Sequence, residues 1–314
     1  MNIPFFLSLP EFKILGGMTR MKLVSSILLF SGFISFGQST IDDIKMEYDS
    51  LTKNTMYGNN PDTGEYYDIR GFKMYCETYG SGEPLLIIHG NGASINTLVK
   101  QIPFFSEKYK VIVADSRNHG KSIDKRDSLS YEMMADDYAA LLSQMKIDSA
   151  YVLGWSDGGI NGLLMAIRHP EKVRKLAVTG ANLQPDTVAV SPDVLKRVTK
   201  TYNMFQSMFS EERPKTTLDS IVYKYIKLLV EQPNIAKEEL QRITAPVLVI
   251  GGDHDVIKPA HTLRIFENIP NAYLWILPNS GHATLVTRAN EFNRAVDDFF
   301  TFKYRKIEDR ERDF

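Results

Sequence analysis

A serine set between glycines, in Gly154-Trp155-Ser156-Asp157-Gly158, carries the strongest chemical signal of this chain. An apolar, β-type run precedes it and a helical pattern follows from Ile160 to Arg168. On such a strand-to-helix turn a serine is held in a strained backbone with its hydroxyl exposed, poised for nucleophilic attack. A serine nucleophile needs a base, and the base needs an acid to orient it. Both types follow downstream. Residues 246–250 form a continuous apolar run, typical of a buried parallel strand, and lead into Gly251-Gly252-Asp253-His254-Asp255. Asp255 lies further beyond the strand end and is the expected acid. Asp253, nearer the strand, is expected to close the turn. The expected base is His282, in Pro278-Asn279-Ser280-Gly281-His282, after the strand-like run 272–277 and before a helix-like stretch.

A further apolar run, residues 84–88, ends in His89-Gly90-Asn91-Gly92. A loop in this position supplies one backbone N–H of an oxyanion hole, and the residue after the nucleophile supplies the other. Asn91 is assigned the first donor, with Gly92 as the alternative, and Asp157 the second. His89 reads as a packed structural histidine. Trp155 and Asp157, which flank Ser156, are the candidate substrate contacts. The Asp157 carboxylate has a second reading, because the first turn of a helix favours a negative charge by roughly 0.3–1 kcal/mol.

Residues 111–114 form another strand-like run and lead into Asp115-Ser116-Arg117-Asn118-His119-Gly120-Lys121-Ser122. Asp115 and Arg117 read as an ion pair or loop brace, and His119 as exposed. This Asp-x-Arg-x-x-Gly-x-Ser pattern, the His-Gly-Asn-Gly loop and the order Ser156, Asp255, His282 resemble the α/β-hydrolase fold family, over residues 66 to 303. Gly-Trp-Ser-Asp-Gly-Gly is similar to the nucleophile turn of the valacyclovir hydrolase (biphenyl hydrolase-like) group. That resemblance implies hydrolysis of α-amino-acid esters, with Asp157 pairing a substrate ammonium. The expected function is cleavage of a small carboxylic ester through a Ser-His-Asp triad and an acyl-enzyme. Lactone, thioester or peptide hydrolysis, and a non-catalytic ligand-binding protein of the same fold, are the alternatives. Dehalogenases and epoxide hydrolases of this fold use an Asp where this chain has Ser156. No cofactor or metal is expected: the six histidines are scattered, without His-Glu-x-x-His or paired cysteines.

Alternating strand-like and helix-like segments predict a mostly parallel sheet with helices on both faces. Ligands then bind at the carboxyl ends of its strands. A hairpin is expected near residues 66–79 and strands near 85, 111, 150, 175, 247 and 273. The core is assigned to residues 66–182 and 241–303, a linker to 38–65 and a charged tail to 304–314. Residues 183–240 break the alternation with helical patterns and read as an inserted helical cap. With 314 residues, 43% of them hydrophobic, and a net charge of −1, the chain can bury one large core and offers nothing to nucleic acid. Arg20, Met21 and Lys22 followed by an uncharged apolar stretch and Ser35-Phe36-Gly37 have the plan of a secretory signal peptide. Residues 1–37 are therefore expected to direct export, with an uncleaved anchor as the alternative, and no stable membrane span is expected after cleavage. Cys76 is the single cysteine, so no intrachain disulfide forms.

Overall fold

The computed structural model describes residues 38–211 and 217–303. The expected signal segment, residues 1–37, and the tail, residues 304–314, lie outside the described residues. Eight strands form one sheet: β1 (Gly64–Ile69), β2 (Phe72–Tyr79), β3 (Glu83–Ile88), β4 (Tyr109–Ala114), β5 (Ala150–Trp155), β6 (Val173–Thr179), β7 (Val247–Gly252) and β8 (Ala272–Leu277). Their order is β1-β2-β4-β3-β5-β6-β7-β8. The β1–β2 hairpin and the β2–β4 pair are antiparallel, and every later pair is parallel. In register, Ile88 lies beside Gly154, Trp155 beside Thr179 and Gly252 beside Leu277. The loops after β3, β5, β6, β7 and β8 therefore leave the sheet along one edge.

The longer helices are α1 (Gln38–Asn54), α2 (Tyr131–Gln144), α3 (Asp157–Arg168), α4 (Pro192–Glu211), α5 (Thr217–Glu231), α6 (Pro259–Glu267) and α7 (Ala289–Thr301). Side chains alternate across each strand, so the sheet feeds two cores. On one face Leu86, Ile88, Ile112, Val152, Val178 and Val249 pack with α2 and α3. On the other, Leu85, Ile87, Val111, Val113, Leu153 and Ile250 pack with Phe292, Val296, Phe299 and Phe300 of α7. Those four sit at the spacing that gives a helix one apolar face. The Ser130 hydroxyl starts α2 by accepting the Met133 N–H at 3.2 Å. Every residue of α3 from Asp157 to Ile167 is buried.

Helices α4 and α5 stand between β6 and β7 and share a small core of their own, with Tyr202, Phe205, Val222 and Ile226 at its centre. The segment assigned as a linker behaves differently from that expectation. It opens with α1, which docks by burying Tyr48, whose hydroxyl donates to the Thr97 carbonyl at 2.6 Å. Buried Glu77 then holds the following chain by accepting the Gly58 and Asn60 N–H groups at 2.8 and 2.9 Å. The tyrosines at 75 and 79 donate to the same carboxylate. Among the described residues, no helix is long and apolar enough to cross a membrane.

Candidate active site

Ser156 has φ 56 and ψ −119, directly between β5 and α3. A positive φ is costly for a residue with a Cβ. The turn is forced by how closely α3 starts against β3. A Cβ on Gly158 would lie 2.1 Å from the Ile88 carbonyl oxygen, so only glycine permits the approach.

Three loops bring the expected side chains together. His282 Nε2 lies 3.0 Å from Ser156 Oγ, and His282 Nδ1 lies 2.7 Å from Asp255 Oδ1. Because the carboxylate only accepts, Nδ1 carries the proton and Nε2 presents its lone pair to the serine hydroxyl. Burial opposes charge on His282, but the Asp255 carboxylate outweighs it and raises the imidazole pKa above its ordinary value. Asp255 is 8% exposed and also accepts the Ile257 N–H at 3.0 Å. Asp253 instead accepts the N–H groups of Asn279 and Ser280, each at 3.0 Å, and ties the β7 loop to the His282 loop.

Asn91 follows β3 beside this turn. Its side-chain amide donates to Asp157 Oδ2 at 2.8 Å, binding the loop after β3 to the turn after β5. As the first residue of α3, Asp157 has a backbone N–H without an intrahelical acceptor. Its carboxyl is 4% exposed. Burial pushes it up to about 6, against the opposing pull of the Asn91 amide, the Tyr131 hydroxyl and His282. That Tyr131 hydroxyl is buried and interacts with the Asp157 carboxyl. Tyr131 escaped the sequence reading because no motif marks it.

Several expectations need correction. Trp155 is 3% exposed and packs in the core on the α7 face, so it is no substrate contact. Its indole N–H donates to the His282 carbonyl at 3.0 Å, which holds the histidine loop. Asp115 and Arg117 do not pair. Asp115 braces its loop by accepting the Ile95 and Lys121 N–H groups at 3.0 and 2.8 Å. Arg117 turns into the protein and pairs with Asp137 and Asp124. His119, expected at the surface, is 1% exposed, because Tyr225 of α5 stacks on it. His89 is buried, as expected for a packed histidine, and burial lowers its pKa to about 4. Gly180, at the end of β6, was also missed. It has φ 65, and a Cβ there would lie 2.7 Å from His282 Cε1. A glycine at a strand end was the available signal.

A mostly parallel sheet of this order, with serine, aspartate and histidine on the loops after β5, β7 and β8 at its carboxyl edge, defines a hydrolase of the α/β class. Comparison with known proteins agrees. Residues 83–232 match the family described as alpha/beta hydrolase fold. Serine hydrolase BPHL of Mus musculus is 26% identical over 245 residues, which span 74% of this chain and 84% of that protein. A 2-hydroxy-6-oxononadienedioate/2-hydroxy-6-oxononatrienedioate hydrolase of Cupriavidus pinatubonensis is 28% identical over 264 residues, covering 73% and 90% of the two chains. Among solved structures, the enol-lactonase from Burkholderia xenovorans superposes with a TM-score of 0.61 at 20% identity, over 76% of this chain and 100% of that one. The chain has the α/β-hydrolase fold and is an enzyme, a hydrolase.

Proposed function

We propose that the protein cleaves small carboxylic esters through an acyl-enzyme on Ser156. The observation that carries this reading is the continuous relay from Asp255 through His282 to Ser156, at 2.7 and 3.0 Å. His282 takes the hydroxyl proton as Ser156 attacks the carbonyl, then gives it to the leaving alcohol. Asp255 keeps the imidazole in the required tautomer and stabilises the imidazolium. The Asn91 and Asp157 N–H groups face the developing oxyanion, a type of interaction worth roughly 3 kcal/mol per donor. Water then releases the acid. Helices α4 and α5 act as a cap that excludes water and shapes the acyl pocket. Export through residues 1–37 completes the proposal and rests on their sequence alone. Labelling with a fluorophosphonate probe tests the nucleophile: wild type is expected to label and Ser156→Ala not to. A wild-type chain that fails to label would instead behave as a binding protein.

Within this reading the acyl group carries an α-ammonium. Asp157 favours it, being a buried carboxylate one residue from the nucleophile, beside the buried Tyr131 hydroxyl. Wild type is expected to prefer an amino-acid ester over its des-amino analogue by roughly 10- to 100-fold, the range of a charged hydrogen bond. Asp157→Asn should lose most of that preference. In wild type it should also shrink as the pH falls through about 6, where the Asp157 carboxyl takes up a proton. Equal preferences in the two enzymes would remove the ammonium from the reading.

The indole of Trp155 gives a test of how the base is held. Trp155→Phe keeps a ring in the core but removes the donor to the His282 carbonyl. The expected result is a loss of kcat of about 10-fold for a small ester, since small displacements of a catalytic group are costly. Steady-state kinetics decide it, and an unchanged kcat would mean that packing alone positions the loop.

A further inference from the structure

We infer that Tyr225, on the inserted helix α5, is a positioning residue for the oxyanion loop. Three contacts converge on it. Its hydroxyl donates to the Asn118 carbonyl. Its ring stacks on the His119 imidazole, with centroids 4.2 Å apart and planes 26° from parallel. Its carbonyl accepts from Asn91 Nδ2 at 3.4 Å, the same nitrogen that donates to Asp157 at 2.8 Å. One amide nitrogen thereby joins the inserted helix, the loop after β3 and the nucleophile turn.

The contact continues behind the stacked ring. The His89 ring lies 5.1 Å from that of His119, its Nε2 accepts the Ser116 N–H at 3.0 Å, and its Nδ1 lies 2.8 Å from the Gly90 carbonyl. Tyr225, His119, His89, Asn118 and Asn91 are all buried, so none of these bonds competes with bulk water. Asn118 has φ 63, and its carbonyl is turned to the Tyr225 hydroxyl. The seating of α5 is thus transmitted to the backbone of residues 90 and 91. Oxyanion donors act only when they stand about 2.7–3.1 Å from the developing charge. A shift of about 1 Å is enough to cost roughly 100-fold. Tyr225 does not touch the reacting atoms; it sets where the Asn91 N–H points.

This role rests on the proposed acyl-enzyme reading, and the experiment separates the two. Tyr225→Phe keeps the ring stack and the backbone contact but loses the bond to Asn118. With p-nitrophenyl acetate, kcat per fluorophosphonate-titrated site is expected to fall about 10-fold, with KM within about twofold. The loss should combine less than additively with that of Asn91→Ala, because both act through one loop. A residue that only packs would lower the unfolding midpoint and leave kcat per titrated site unchanged. A residue of the acyl pocket would change KM, and only for larger esters. Either outcome overturns the positioning role while leaving Ser156 labelled. Absence of labelling in wild type would overturn the acyl-enzyme reading, and this role with it.

Discussion

Ser156→Ala is expected to lower kcat by on the order of 10⁶-fold while shifting the unfolding midpoint by no more than about 2 °C. The asymmetry follows from the geometry. The hydroxyl is the attacking atom of the proposed mechanism, yet among the described residues its only side-chain partner is His282. His282→Ala should cost about as much, and the double variant little more, since the two act as a unit. Asp255→Asn should cost less, on the order of 10⁴-fold, because its effect is on the imidazole tautomer. The pH profile adds an independent readout. Catalysis needs neutral His282, and its pKa is raised, so wild-type kcat/KM should climb with pH through a midpoint above the ordinary 6.5. In Asp255→Asn the carboxylate is gone and burial remains, so that limb should move to lower pH. Initial-rate measurements across pH decide the matter. Ser156→Ala activity above about 1% of wild type would not fit a serine acyl-enzyme.

The largest effect on stability is expected at Arg117. Its side chain is 1% exposed, and its partners Asp124 and Asp137 are 3% and 0% exposed. The Nε group donates to Asp137 Oδ2 at 2.7 Å, and the guanidinium also lies 4.1 Å above the Phe72 ring. Replacing Arg117 leaves Asp124 with Arg126 at 2.9 Å but fully buried Asp137 with only the more distant Arg70 at 3.8 Å, and breaking such a buried group costs roughly 3–5 kcal/mol. Arg117→Met should therefore lower the thermal midpoint by about 10 °C. Asp137→Asn in the Arg117→Met background should recover part of the loss, since one stranded charge is then removed. Calorimetry of the two variants tests this. A midpoint within about 1 °C of wild type in Arg117→Met would mean that Arg126 and Arg70 suffice to hold Asp124 and Asp137.

The strands were legible because continuous apolar runs leave few other ways to be buried. The site residues were legible because each follows such a run and is punctuated by glycine. Arg117 was not, because its main partner lies on α2, twenty residues along the chain. His119 was misread for a similar reason: what covers it is Tyr225, from the helices between β6 and β7. Trp155 could have been read correctly. It shares its strand face with Leu153, two residues before it, and that face is core. Helix α1 gave little warning, since its order depends on Tyr48 reaching the Thr97 carbonyl.

The positive φ of Ser156 bears on how such a chain evolves. A non-glycine residue held there costs on the order of 1–3 kcal/mol, whatever its side chain does. Glycine would relieve that strain, so at this position the more stable chain is one without a nucleophile. Selection for folding alone would erase the serine. Its presence in a strained turn is the mark of selection for chemistry, written in the backbone.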